Sequence, residues 1–252
     1  MKITKIISVL LCVIMLLTLF VGCEQKKAEA LLTQAGVQML DKQFTMTMTM
    51  DYSCNDAELN EAFATVSDTE TVIVVDGKNV RMDMTVMDQQ ITVLCVNNIV
   101  YMDIFGMKVK SFLSDEDYAE MFSENAELAD MDLEDFISIK VEDSANGGKT
   151  ILCNGFSEEL AAAITEGAGA VDGVQNIDVD EESSKVTVTL DKDGNFEAIA
   201  IDITMTLLVA DKGYVTVDAA MDYTFDYTKG EKLTYPEDAD QYGTIDPDYI
   251  TE

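Results

Sequence analysis

The chain has 252 residues, 48% of them hydrophobic, with 16 basic residues against 48 acidic ones and neither histidine nor tryptophan. A formal charge of −32 excludes a nucleic-acid surface built on phosphate contacts. The missing histidine removes Ser-His-Asp and Cys-His catalysis, His-ligated zinc and imidazole pH switching.

Lys2 and Lys5 form a charged n-region ahead of an apolar run from Ile6 to Phe20 that is too short for a comfortable membrane span. Leu19-Phe20-Val21-Gly22-Cys23 closes that run in the pattern of a lipobox, with Phe20 where leucine is usual. Residues 1–22 therefore read as a lipoprotein signal peptide. Cys23 reads as the acylated mature N-terminus, bearing diacylglycerol and a fatty acid such as palmitate, and residues 23–27 as a lipidated tether. The run Glu24-Gln25-Lys26-Lys27 contains no stop-transfer pattern. This predicts a lipid anchor on the extracytoplasmic face of the cell membrane. Without Lys2 and Lys5, 14 basic residues face 48 acidic ones, a formal charge of −34. An anionic bilayer repels such a domain, so a covalent lipid is a sensible way to hold it there.

Ala28 to Leu40 has helix-forming composition, with Leu32, Ala35 and Met39 on one stripe. Phe44, Met46, Met48, Met50 and Tyr52 then alternate with Thr45, Thr47, Thr49 and Asp51, the period of a strand with one apolar face. Residues 55–70 are weakly patterned and read as a loop or short helical insertion. Val72 to Val75 and Val80 to Val86 flank Asp76-Gly77 as a hairpin, and Ile91 to Val96 and Ile99 to Ile104 flank Asn97-Asn98 likewise. Met107 to Ser111 adds a strand. Ser114 opens a helix that carries Tyr118, Met121 and Phe122 toward the sheet. Phe136 to Val141 and Thr150 to Cys153 form another hairpin, and Ser157 caps a third helix over Glu158 to Thr165. Val186 to Leu190, Ile199 to Val209 and Val215 to Tyr227 follow, the last two as very long antiparallel strands. Residues 236–252, with Pro236 and Pro247, read as an acidic flexible tail.

Every long strand has one apolar and one Thr/Asp-rich face, so the sheet is antiparallel and needs cover on one side only. Three short helices are thin cover for so wide a sheet, and wide sheets curl. The predicted fold is α+β: one curved, largely antiparallel sheet, a half-open barrel with about three helices on its concave face, spanning residues 28–235.

With its lipobox at Cys23, N-terminal helix, meander from Phe44 to Ile104, helical insertions near Ser114 and Ser157 and closing hairpin through Tyr227, the chain resembles the LolA and LppX/LprG type of bacterial lipoprotein. In strand style it looks closer still to lipoproteins of anaerobic Gram-positive bacteria. The resemblance implies a concave face that holds acyl chains or another hydrophobic ligand. Methionine is flexible and polarizable and suits such a lining. The expected cavity residues are Met46, Met48, Met50, Met82, Met84, Ile201, Met205, Met221 and Phe225.

Other chemistry finds little support. Same-face sulfurs ~6–7 Å apart on one strand do not converge on Cu(I) without bending inward. Asp130-x-Asp132-x-Glu134 has Asp135 where a calcium loop needs glycine and Val141 where it needs glutamate. Asp191-x-Asp193-Gly194 is explained as a hairpin turn, and Asn146-Gly147-Gly148 and Gly167-Ala168-Gly169 as flexible turns. Of the exported cysteines, Cys54, Cys95 and Cys153, at most two can pair, and whether Cys95 and Cys153 do is open. The reading is a non-enzymatic lipoprotein without cofactor or metal whose partners are a lipid or similar apolar molecule and the membrane. The alternative is an envelope scaffold with a plugged core that acts through protein contacts.

Overall fold

The computed structural model describes residues 24–39, 42–63, 69–86, 89–114, 116, 133–168, 174–210 and 212–245. Among these, the alternating segments form thirteen strands: β1 (Phe44–Cys54), β2 (Thr69–Asp76), β3 (Asn79–Val86), β4 (Gln89–Val96), β5 (Ile99–Ile104), β6 (Met107–Phe112), β7 (Phe136–Asp143), β8 (Lys149–Phe156), β9 (Val174–Val179), β10 (Lys185–Leu190), β11 (Phe196–Val209), β12 (Gly213–Asp226) and β13 (Gly243–Thr244). They make a single curved, open sheet in the order β13-β6-β5-β4-β3-β2-β1-β12-β11-β10-β8-β7, with β9 on β11. All ladders are antiparallel except β13 on β6. The predicted α+β class and single open sheet agree with this architecture.

β9 was not foreseen. It and β10 run end to end along β11, β9 beside Met205–Val209 and β10 beside Phe196–Asp202. The break between them is held by Ser184, whose hydroxyl donates to the Asp180 carbonyl at 2.7 Å and accepts from the Thr204 amide at 3.3 Å.

Three α-helices are described: α1 (24–39), α2 (Ala57–Phe63) and α3 (Glu158–Ala168). α1 buries Ala28, Leu32 and Ala35 against Ile151, Cys153, Val186, Val188, Leu190, Phe196 and Ile199, and α3 adds Leu160, Ala161 and Ile164 to the same core. Ser157 caps α3 as expected, its hydroxyl accepting from the Leu160 amide at 3.1 Å. α2 does not cover the sheet. It is mostly exposed, and Lys212 in the β11–β12 turn reaches Asp56 and Glu58 at its start. The helix expected from Ser114 falls in 115–132, outside the described residues apart from Glu116.

α1 starts at β7, where Glu24 meets Val141, and passes Gly194 in the β10–β11 turn at Gln34. Its buried residues lie in the core of the C-terminal half of the sheet.

The opposite face of β2–β6 has its own cover. Residues 231–245, of which 236 onward read as a tail in the sequence, lie across it as a strap. Leu233 packs with Val74, Leu94, Val96 and Tyr101, while Tyr242 and Tyr235 meet Tyr101 edge-on at 5.2 and 6.2 Å. Arg81 forms a two-pronged pair with Glu231 (2.9 and 3.0 Å), Lys108 pairs with Asp238, and the Leu233 amide donates to Asp76 at 2.9 Å. The acidity that suggested a loose tail thus meets the few cations of that face.

Two-residue loops close the hairpins as their composition requires. Asn97 and Asn98 both have positive φ (50° and 64°) in a type I′ arrangement. The β5–β6 turn has the same arrangement, but with Phe105 at φ 55° ahead of Gly106 at 83°. A bulky residue there is strained, and its ring is 56% exposed, so packing returns little. Phe105→Asn is expected to stabilise the fold by about 0.5–1 kcal/mol. An unchanged or lower urea midpoint would show that the ring is held by contacts worth more than the strain.

Candidate functional site

Strand register places all nine expected cavity residues on the face that bears α1. Met46 stands opposite Phe225 on one side and Ile73 on the other, and the row continues through Met82, Val93 and Met102. Met48 heads the next row, with Tyr223 on one side and Thr71, Met84, Ile91 and Ile104 on the other. Met50 pairs with Met221 and then Ile201, and Met205 pairs with Val217.

The nine differ in whether they pack against the core beneath α1. Ile201, Met205, Met221 and Phe225 pack against the core that α1 covers, where Ile151, Cys153 and Val188 are completely buried. Met46 is buried at the boundary. Met48, Met50, Met82 and Met84 lie beyond it; they are half-buried, as Ile201, Met205, Met221 and Phe225 are, but do not pack on that core. Ile73, Val93, Met102 and Ile104 belong to the same surface and were missed. The signal was present, since Val100, Met102 and Ile104 continue the alternation; only the pairing of β4 with β5 shows that they extend the methionine rows.

On this face of β1–β6 every position is uncharged, running from Phe44–Cys54 through Thr71, Ile73, Val75, Val80, Met82, Met84, Ile91, Val93, Cys95, Val100, Met102 and Ile104 to Met107, Val109 and Ser111. The same strands carry Asp51, Glu70, Asp76, Arg81, Asp83, Asp103, Lys108 and Lys110 on the other side. In a chain that is one-quarter charged, this segregation leaves one apolar field, half-buried and rich in thioethers. Among the described residues only Leu113 is recorded packing over it, against Cys95 and Val100.

Aromatic side chains wall the field where α1 ends. Phe44 meets Phe225 at 6.0 Å and Tyr227 at 5.7 Å, and Phe196 meets Phe225 at 5.7 Å. Lys42 lies 5.4 Å from the Tyr227 ring centre and bonds Asn195. Burial, with Asp191 nearby, pushes the Tyr227 phenol up to about 12. At the opposite corner the Tyr52 hydroxyl donates to the Met50 thioether at 3.6 Å, and burial raises Tyr223 beside it.

Two recesses lie away from these methionines. One of about 620 Å³ borders the outer surface of α1 at Lys26, Glu29, Ala30, Thr33, Gln34, Val37 and Gln38. The other, about 270 Å³, lies on the polar face around Asp51, Asp202 and Asp218. Among the described residues no group of three or more His, Cys, Asp or Glu could hold a metal ion, and no helix is long and apolar enough to cross a membrane. Cys54, Cys95 and Cys153 are free thiols. Cys95 on β4 and Cys153 on β8 stand seven strand spacings apart, beyond the reach of a disulfide. Cys23 lies outside the described residues.

No protein-family model matches the chain, and no curated protein is similar enough to it to count as a relative.

Proposed function

We propose that this chain is a membrane-anchored, extracytoplasmic lipoprotein that binds or carries a lipid or other hydrophobic molecule on the methionine-lined half of its helix-bearing face. The observation that carries this reading is the uncharged, methionine-rich field on β1–β6, where Met48, Met50, Met82, Met84, Met102 and Ile104 stay partly exposed, next to a half of the same face where Ile151, Cys153, Val188 and Leu190 are sealed beneath α1. Adaptable thioethers fit alkyl chains of varied shape, and the absence of charge removes any desolvation cost for such a guest. The lipobox at Cys23 supplies the anchor, and the LolA and LppX/LprG resemblance supports the same reading.

The test is native mass spectrometry of the gently purified chain. An excess mass belonging to an alkyl-bearing molecule is expected, and a clean ligand-free mass would overturn the reading. Met48 and Met84 flank Thr71 in one row, so Met48→Asp with Met84→Asp puts two carboxylates in the middle of the field. Ligand retention is expected to fall at least about tenfold, in line with the cost of burying unpaired charge, while circular dichroism reports an intact sheet. The alternative, an envelope scaffold working through protein contacts, draws on the packing of Ile201, Met205, Met221 and Phe225 into the filled core. It predicts unchanged composition in the same measurement.

A further inference from the structure

The β7 edge lies at one end of the strand order, and α1 starts there. The Glu24 carboxylate accepts the backbone amide of Val141 on β7 at 2.9 Å, and Ala28, one turn further along α1, is completely buried. Residues 24–27 of the expected tether are therefore helix, and Glu24, the residue that follows Cys23 in the chain, is fixed to a sheet edge.

The charges at this edge differ from those of the chain as a whole. Lys26 and Lys27 open α1, Lys140 lies in the field of Glu24 and bonds Glu142, and Lys149 pairs with Asp143, which also feels Lys27. Four lysines here face Glu24, Glu29, Glu134, Asp135, Glu142 and Asp143, far nearer to balance than the 16 basic and 48 acidic residues of the whole chain. Ile137, on the same strand, is 61% exposed. An anionic headgroup layer repels this edge less than the rest of the protein's surface.

We propose that the β7 edge is a membrane-docking surface whose partner is the bilayer holding the acyl chains of Cys23. The inference rests on acylation of Cys23. It sets the direction of the domain: the methionine field starts five strand spacings from β7, about 24 Å along the sheet, and extends to β5 and β6 at the far end. The ligand-binding half is then carried away from the anchoring bilayer, and exchange takes place with a partner approaching from the outer side.

The experiment uses the full chain made and processed in a bacterial host, with Cys54→Ser to leave only buried native thiols in the described domain. Ile137→Cys and, separately, Lys140→Cys place a fluorophore on β7, and Met107→Cys places one on β6. The labelled proteins are inserted into phosphatidylcholine–phosphatidylglycerol vesicles that contain a headgroup nitroxide lipid. Quenching at 137 and 140 is expected to exceed that at 107 at least threefold. Equal quenching, or more at 107, overturns the docking surface. The mass of the N-terminal peptide reads acylation independently: an unmodified Cys23 overturns the anchor and this inference with it. An acylated chain without preferential quenching at β7 overturns the docking surface alone.

Discussion

Gly148→Ala is expected to lower stability by about 3 kcal/mol or more, whereas Gly147→Ala next to it is expected to cost only about 1. The two glycines differ in what surrounds them. Gly147 has φ 81° with open space where a Cβ would stand, so alanine there suffers only left-handed backbone strain. Gly148 has an ordinary φ, but a Cβ would lie 1.9 Å from the Leu190 carbonyl oxygen and 2.8 Å from the Asp191 carbonyl carbon. Both are backbone atoms, so no rotamer change relieves the clash. β8 would have to part from β10 where Lys149 pairs with Leu190, opening the core in which Ile151, Val188 and Leu190 are all but fully buried. Urea unfolding of the three proteins decides it. A Gly148→Ala midpoint close to that of Gly147→Ala would mean that the hairpin slides aside at little cost.

That glycine marks where the sequence stops being legible. Asn146-Gly147-Gly148 reads as a flexible turn because composition reports local conformational freedom, which is Gly147's role. Gly148's role is a long-range approach to a turn forty residues later, and no local pattern encodes it. The strands from Phe44 to Phe112 and from Lys185 to Asp226 were legible because alternation is a local signal, and so was the antiparallel class. β9 went unnoticed because Val174–Val179 is short and only weakly alternating. The strap over β2–β6 was hidden because its hold comes from separate pairs, Arg81 with Glu231 and Lys108 with Asp238, that are 150 and 130 residues apart. The methionines share one face by register, yet which of them pack against the core beneath α1 depends on where α1 lies, which periodicity leaves open.

This division also separates stability from binding. Positions under α1, such as Cys153 and Val188, support the fold, and a change there acts on stability. Met48, Met82 and Met84 have partial cover, and a change there acts first on whatever occupies the field. A sheet that was equally dry throughout would have no room for a guest. Among the described residues α1 and α3 pack on the C-terminal half of this face, and Leu113 packs over the methionine field, the half offered to a guest.

The buried thiols, Cys153 beneath α1 and Cys95 on β4 under Leu113, have a signature at alkaline pH. Burial pushes the thiols of Cys95 and Cys153 up to about 11 from an ordinary value near 9. Below pH 9 both thiols are protonated whether the chain is folded or not, and neither contributes a pH dependence. Above it the unfolded chain releases these protons while the folded chain retains them, so the unfolded state is favoured increasingly up to about pH 11. Each thiol contributes a slope of at most about 1.4 kcal/mol per pH unit. Tyr101, Tyr223, Tyr227 and Tyr242 are also raised by burial and add to the fall as pH nears their ordinary value of about 10, so the thiols lead only at the start of the interval from 9 to 10. The urea midpoint is expected to be flat from pH 7 to 8.5 and to fall from 9 to 10. Cys95→Ala with Cys153→Ala lowers the midpoint at every pH through the small cavities it leaves, but is expected to make the fall between 9 and 10 shallower. A wild-type midpoint that stays level across that interval, or a double variant as steep as wild type, would mean that water reaches these sulfurs in the folded chain.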